Sequence, residues 1–244
     1  EPYSAAQFRS DALREMTDIS SRGRIPLLVG GTMLYFKVLL EGLAELPPSD
    51  PVVRASLTEE AARYGWPTMH ARLTAIDPET ATKLHPNHSQ RILRALEVHQ
   101  LSGIALSTLQ HQQQSAVLPW QICQLALAPV DRTILHQRAE RRFDAMLANG
   151  FLDEVSGLHA RQDLHPDLPA IRSVGYRQAW QYLNGEITAV QWRETSIAAT
   201  RQLAKRQLTW LRSWPDLHWI LTEEPFDQEK VTQAALKILK STCI

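Results

Sequence analysis

The chain has 244 residues, of which 44% are hydrophobic and 21% charged, and its formal net charge is zero. This length and composition suit one large or two small globular domains with a sizeable core. The sequence has no apolar run near the ~20 residues of a bilayer span and no signal-peptide layout at its start, so we expect a cytoplasmic protein without membrane contact. Its two cysteines are too few for a disulfide framework and lack partners at metal-ligand spacing.

The first predicted elements are a helix, a strand and a second helix. A capping box at Ser4 predicts a helix to about Ser21, and the short apolar run Ile25–Val29 indicates a buried strand. Gly30-Gly31 then predicts a tight turn, with Thr32 at the start of the next helix. This order is typical of an α/β sheet, where such a helix start binds anions, although an ordinary turn explains it equally well.

The chain changes character after the Pro-rich connection Glu41–Pro51. From Val52 to Gln114 the patterns are helical, with no convincing strand. Three residues have the character of helix N-caps, namely Asp50, Asp77 and Asn87. We therefore predict a first core segment at residues 1–50, an inserted helical subdomain at 51–117 and a second core segment at 118–244.

The helix predicted after Asn87 carries Arg91 and Arg94 one turn apart on one face and ends at Gly103. Cations near a helix start oppose the macrodipole at a cost of about 0.3–1 kcal/mol each, which favours an external anion. The alternative is that both arginines are solvated, or pair with Glu97 or another acid.

After a polar loop at residues 110–115, the alternation of Trp120–Leu127 predicts a return to the sheet. The helix that follows interleaves arginines with Glu140 and Asp144, so salt bridges within the helix are the default interpretation. Arg138 and Arg142 share one of its faces and remain secondary candidates for anion binding.

The segment Arg172–Arg212 concentrates positive charge on a neutral protein. It holds seven basic residues against two acidic ones, so seven minus two leaves an excess of five. Its helix has a cationic stripe of Arg201, Lys205, Thr209 and Arg212, and no carboxylate follows in sequence until Asp216. This pattern predicts a face that binds a long anion.

The loop before this helix, Ala170–Gln178, places a glycine between two arginines and beside Tyr176. Glycine lets the backbone approach a ligand closely, while guanidinium groups suit phosphate. The loop therefore favours phosphate binding or base stacking. The alternative is a helix start with Tyr176 packed inward.

Four segments together resemble the tRNA dimethylallyltransferases, most closely the bacterial type. They appear in family order and cover nearly the whole chain, and they are Val29–Tyr35, Asp77-Pro78 through Arg91–Glu97, Ser173–Arg177 and Thr200–Trp210. The resemblance implies a P-loop kinase-like α/β core with an inserted helical domain. It also implies transfer of a dimethylallyl group from its diphosphate to N6 of the adenine 3′ to the anticodon (A37), flipped into a core channel.

The resemblance also implies contact residues and partners. Residues that match tRNA-contacting positions are Thr32, Arg54, Gln90, Arg91, Ile92, Leu93, Arg94, Arg172, Ser173, Val174, Gly175, Tyr176, Arg177, Lys205, Arg206, Gln207, Leu208, Thr209, Trp210, Leu211 and Arg212. Candidates for the diphosphate are Arg138, Arg142, Arg172 and Arg177. The implied partners are the tRNA anticodon stem-loop, dimethylallyl diphosphate and Mg²⁺, and we expect a monomer.

One departure from the family concerns its catalytic start. Members open with a P-loop ending in Lys-Thr, followed by an Asp that acts as base, and no G-x-x-x-x-G-K-[ST] motif occurs in this sequence. The sequence therefore predicts no catalytic residue of its own and an N-terminally incomplete, inactive copy of the enzyme. The alternatives are a tRNA-binding protein without catalysis and an enzyme that prenylates free adenine nucleotides.

Overall fold

A computed structural model describes residues 3–112 and 117–242. Its elements in chain order are α1 Ala5–Ser21, α2 Met33–Glu41, α3 Pro51–Tyr64, α4 Trp66–Ile76, α5 Pro78–Thr82, α6 Ser89–Ser102, α7 Leu106–His111, β1 Gln124–Pro129, α8 Arg132–Ala148, α9 Phe151–His159, α10 Tyr176–Leu183, α11 Ala189–Arg212, β2 Leu217–Thr222 and α12 Gln228–Thr242. The predicted loop at 110–115 begins inside α7, and its later residues lie outside the described part of the chain.

Most helix boundaries follow local signals. The side chain of Ser4 accepts a hydrogen bond from the Gln7 amide, and the side chain of Gln7 accepts one from the Ser4 amide, which completes the capping box of α1. Asp50 and Asp77 cap α3 and α5 through their carboxylates, as predicted. These short-range bonds satisfy amides that the first helical turn leaves without partners.

The cap predicted for α6 is wrong. His88 occupies the N-cap position and makes no side-chain capping bond. Asn87 lies outside the helix, because a turn closes first, with the His88 amide donating to the His85 carbonyl at 2.8 Å. At the other end, Gly103 adopts φ of 71°, the left-handed conformation typical of a helix stop.

The strand predicted at Ile25–Val29 is also wrong. Residues 25–29 do not form a strand. The described strands β1 and β2 pair with each other and not with this segment. Ile25, Leu27 and Val29 are 81%, 82% and 86% exposed. A strand requires a ladder of backbone hydrogen bonds to a neighbour, and no described segment supplies one.

β1 and β2 form a parallel pair in which Ala126 lies opposite Trp219. The sequence placed the first of these strands four residues too early, at Trp120, whose indole N–H instead donates to the Ser20 hydroxyl at 2.9 Å. Ala126 and Ile220 are buried. The parallel pairing agrees with the predicted sheet type, since parallel strands are joined through helices.

The chain divides into two compact units. The core unit comprises the described residues of 1–35 and 118–244, and its interior is aromatic, with Phe143, Phe151 and Trp192 in mutual contact. α9, which the sequence reading did not identify, contributes Phe151 to this interior. Each such buried side chain contributes roughly 1.5–3 kcal/mol.

The helical unit comprises residues 36–117. Its described residues from Pro51 onward form α3 to α7 and contain no strand. The interior is aliphatic, and Leu57, Met69, Leu73, Ile92 and Leu96 are each no more than 1% exposed. None of the helices in residues 3–112 and 117–242 combines the length and apolarity that crossing a membrane requires.

Candidate nucleic-acid interface

Two cations lie on either side of the start of α10, Arg172 in the loop before it and Arg177 in its first turn. Arg172 and Arg177 are exposed, and neither makes an ion pair with any described residue. Gly175 lies between them, buried with φ of +92°, and a Cβ there would lie 3.5 Å from Phe151. The contact with Phe151 is an ordinary van der Waals distance, so it is the positive φ that favours glycine and defines the turn between the two cations.

Tyr176 packs inward, as the alternative interpretation of the loop predicts. Its ring stands edge-on to Phe151, with centroids 5.3 Å apart, and its hydroxyl donates to Glu154 at 2.5 Å. That hydrogen bond raises the pKa of Tyr176, and burial adds to the effect. Ser173 is exposed and Val174 half-buried. The ring therefore supports the loop and is not free for base stacking.

The stripe on α11 is partly neutralised, which corrects the sequence interpretation. Arg201 donates to Glu140 of α8 at 3.3 Å, and Arg193 binds both Glu140, at 3.0 Å, and Asp144, at 2.7 Å. The hydrogen bonds that Arg193 donates to Asp144 and to Glu140 raise its pKa above the ordinary value. The acids on α8 thus pair across the helices rather than within their own helix.

The C-terminal part of α11 keeps its positive charge exposed. Lys205, Arg206 and Arg212 are exposed and make no ion pair within residues 3–112 and 117–242. Thr209 is also exposed, and the Trp210 ring is 38% exposed, 6.4 Å from the ring of Trp214. This end of the helix presents three cations beside an accessible aromatic ring.

Three other predicted contacts on or near α11 serve the fold. Leu208 and Leu211 are half-buried on the inner face of the helix. The Gln207 amide donates to the Gly31 carbonyl at 2.9 Å. Gln207 therefore fastens α11 to the Gly-Gly turn, and Thr32 remains exposed just beyond that turn.

The two arginines of α8 proposed for diphosphate differ in availability. Arg138 donates to Glu224 at 2.6 Å and lies over the ring of Phe226, 5.5 Å from its centroid. Arg142 is exposed and has no described ionic partner. Arg138 is therefore committed to the fold, and Arg142 remains accessible to an anion.

In the helical unit, α6 divides its predicted contacts between surface and core. Gln90 and Arg91 are exposed. Ile92 and Leu93 are 0% and 8% exposed and pack in the aliphatic interior. Their side chains are not accessible to RNA in this structure, because a helix that packs on a core must turn one face inward, and contact of this segment with RNA stays a prediction.

Glu97 is a buried carboxylate that fixes Arg54 and Arg94. One oxygen accepts from Arg94 at 2.8 Å and Arg54 at 3.1 Å, and the other accepts from the Ser49 hydroxyl at 2.8 Å and the Asp50 amide at 2.9 Å. Burial alone would raise the pKa of Glu97, but these bonds together hold it below its ordinary value. Arg94 therefore pairs with Glu97, which is one of the alternatives that the sequence left open.

The two arginines are nonetheless still accessible. Their side chains are 38% exposed for Arg54 and 30% exposed for Arg94, although Glu97 is completely buried. Arg94 also donates to the Pro47 carbonyl at 2.7 Å. The arrangement therefore orients both guanidinium groups at the surface and leaves donors free to bind an anion.

The carboxylates and histidines of the described residues do not assemble into a metal centre. No group of three or more His, Cys, Asp or Glu side chains within residues 3–112 and 117–242 is placed to hold a metal ion. The Mg²⁺ implied by the resemblance therefore has no ligand set in this part of the chain, and none of its residues is assigned to that ion.

Comparison with known protein families identifies this combination of units. Residues 1–214 match the model of the family described as IPP transferase. The chain belongs to the IPP transferase family. The match extends over both units and includes every segment on which the sequence resemblance rests.

Solved structures agree with this assignment. The chain is similar to the full-length tRNA isopentenylpyrophosphate transferase of Bacillus halodurans, at 30% identity and a TM-score of 0.65, over 99% of this chain and 76% of that one. It is also similar to the tRNA Δ2-isopentenylpyrophosphate transferase of Staphylococcus epidermidis, at 28% identity and a TM-score of 0.57, over 99% and 78% of the two chains.

A more distant likeness supports the fold alone. A eukaryotic dimethylallyltransferase acting on tRNA aligns at 23% identity with a TM-score of 0.77, over 100% of this chain and 64% of that one. The predicted fold class, a P-loop kinase-like α/β core combined with a helical part, is confirmed by this likeness.

Proposed function

We propose that this IPP transferase transfers a dimethylallyl group from dimethylallyl diphosphate to N6 of A37, the adenine 3′ to the anticodon of tRNA. The family supplies the reaction class, prenyl transfer to tRNA. The observation that supports the acceptor is the set of exposed cations in the core unit that lack ionic partners among the described residues. These are Arg172, Arg177, Lys205, Arg206 and Arg212.

In the proposed reaction, the N6 amino group attacks the allylic carbon of the donor. The bond from that carbon to the diphosphate oxygen breaks, and N6 loses a proton. The exposed cations bind RNA phosphates and place the adenine. Extruding a loop base from its stack costs a few kcal/mol, which several phosphate contacts offset.

The helical unit is proposed to bind the anticodon stem-loop. Gln90 and Arg91 offer freely accessible donors, and Arg54 and Arg94 offer guanidinium groups already oriented by Glu97. Side chains that are ordered before binding lose less conformational entropy when RNA arrives. Thr32 is a further proposed contact.

The diphosphate is proposed to be bound by arginines that the fold leaves accessible. Arg142, Arg172 and Arg177 meet this condition, whereas Arg138 is held by Glu224. Mg²⁺, when bound, would neutralise diphosphate charge and assist its departure.

The test is labelled prenyl transfer to an anticodon stem-loop RNA. It compares this chain with a version extended upstream by a P-loop segment, since the sequence has no such motif. A stem-loop with guanine in place of A37 is the matched control, because guanine lacks the N6 amino group. We expect labelled adenine from the extended version, and no product from the guanine control.

Each alternative predicts a different result. RNA binding without transfer by either version contradicts the proposed reaction and identifies a tRNA-binding protein without catalysis. Transfer to a free adenine nucleotide at a rate equal to that with the stem-loop contradicts an RNA acceptor. One series of binding and transfer assays with these acceptors distinguishes the two results.

A further inference from the structure

A cavity of about 350 Å³ lies between α8 and α11 within the core unit. Arg132 and His136 line it from α8, and Arg201, Gln202 and Lys205 line it from α11. Leu135 and Leu208 complete part of its wall. Since a water molecule occupies ~30 Å³ in the liquid, this space accommodates a small ligand such as a diphosphate.

The charge of the cavity is strongly positive. Arg132, Arg201 and Lys205 contribute three cations, and of these only Arg201 has an ionic partner among the described residues, Glu140. Arg132 is moreover the first residue of α8, where the helix dipole disfavours a cation. An anion in the cavity would relieve both the mutual repulsion of the cations and this unfavourable placement.

The nearby carboxylates are occupied elsewhere. The Asp131 side chain caps α8 by accepting from the Thr133 amide at 2.9 Å. Glu140 divides its two oxygens between Arg193 and Arg201. Neither acid forms an ion pair with Arg132 or Lys205.

A donor in the cavity wall also lacks a partner. The Nε–H of Arg201 is buried and makes no hydrogen bond to any described residue. A buried donor without an acceptor is costly, and an external acceptor such as a water or an anion would remove that cost. Arg201, which lines the cavity, therefore has one donor bound to Glu140 and one donor without a protein acceptor.

We propose that this cavity is a phosphate-binding pocket in which Arg132, Arg201 and Lys205 neutralise the ligand. Gln202 and His136 offer further hydrogen-bonding atoms to its oxygens. Dimethylallyl diphosphate and the RNA backbone both carry the required group, and in either case the inference rests on the proposed function. It adds Arg132, His136 and Gln202 to the residues that bind substrate, since none of the three belongs to the interface described above.

The test measures two ligands against the 244-residue chain. Inorganic pyrophosphate is titrated by calorimetry, and an anticodon stem-loop RNA is titrated by fluorescence anisotropy at several salt concentrations. The variants are Arg132→Gln, the charge-retaining Arg132→Lys, and Gln202→Glu, which places a negative charge in the pocket. Arg24→Gln removes an exposed arginine of the same unit outside the cavity and is the matched control.

We expect Arg132→Gln and Gln202→Glu to weaken binding of at least one ligand about tenfold, the effect of one lost hydrogen bond to a charged group. Arg132→Lys and Arg24→Gln should stay near the wild-type affinity. Weaker pyrophosphate binding identifies a diphosphate site. Weaker RNA binding, with the log–log salt slope lower by ~0.7–0.9, identifies an RNA phosphate instead. Circular dichroism verifies that each variant is folded.

The remaining outcomes separate the pocket from the proposed function. If both variants bind both ligands as the wild type does, the pocket is refuted while RNA binding stands. If the wild type binds pyrophosphate through Arg132 but does not bind RNA, the pocket stands and the RNA acceptor fails. Wild-type protein that binds neither ligand refutes both.

Discussion

Replacing Glu97 with glutamine should destabilise the helical unit by about 2–4 kcal/mol. The substitution preserves shape but removes the charge. Its amide oxygen can still accept from Ser49 and the Asp50 amide, which leaves an NH₂ group facing Arg54 and Arg94. Two charge-assisted hydrogen bonds, at 3.1 and 2.8 Å, are then lost.

The magnitude follows from what each arginine can do afterwards. Hydrogen bonds to charged groups contribute about 1.5–3 kcal/mol each. Both arginine side chains are about one-third exposed and can turn to water, so the lower part of that range applies to each. The sum is close to the cost of removing one partner from a buried ion pair, about 3–5 kcal/mol.

Hydrogen exchange followed by mass spectrometry measures this locally. Amides of α6 that exchange through opening of the unit should exchange about 30- to 700-fold faster in Glu97→Gln, because 1.4 kcal/mol corresponds to a factor of ten. Amides of α11 in the core unit serve as the internal reference. Glu59→Gln on the exposed face of α3 is the matched control. Exchange in α6 that differs no more than in this control would refute a structural role for the carboxylate.

Three further predictions concern acid stability, backbone strain and RNA contacts. Burial raises the pKa of Asp77, but hydrogen bonds from Ser107 and Thr80 together lower it below its ordinary value. The stabilisation is therefore present at neutral pH and is lost as the pH falls through the lower folded value. Urea midpoints measured from neutral pH down to about pH 2 should show this loss, and Asp77→Asn should flatten it. Gly175→Ala should cost about 1–3 kcal/mol in thermal unfolding because φ is +92°, whereas Gly157→Ala, on an exposed stretch of α9 with no heavy atom within 4 Å of the added Cβ, should be neutral or stabilising. Arg206→Gln and Arg212→Gln should each lower the log–log salt slope of stem-loop binding by ~0.7–0.9, and an unchanged slope would mean that this face does not meet RNA.

Local signals in the sequence predicted helix ends well. The capping residues Asp50 and Asp77 and the stop at Gly103 lie where their chemistry indicated, because each acts through amides or dihedral angles within a few residues. The failure at Ile25–Val29 is of another kind. Apolar alternation records a preference for a sheet, but a strand exists only when another segment pairs with it.

The sequence predicted which residues form the candidate site, but it did not predict which of their side chains already have partners within the protein. Sequence spacing located Arg94 and Arg138 on helix faces, yet their partners Pro47 and Glu224 are distant in sequence. Arg132 and His136 gave no signal, because a cavity arises only when two helices meet. The sequence of the fourteen-residue helix α6, which carries Glu97, is that of an ordinary amphipathic helix. The buried carboxylate is informative only together with its four hydrogen-bond donors, which the structure shows.

The charge on α11 shows why partners must be counted in space. Along the chain, no acid after Glu194 balances the stripe, but α8 supplies Glu140 and Asp144 to its N-terminal half. These ion pairs join the N-terminal half of α11 to α8. The cations of the C-terminal half, from Lys205 to Arg212, therefore project from a fixed base and need little ordering when an anion binds. The ion-paired half of α11 thus supports the exposed half, which we propose as a phosphate-binding surface.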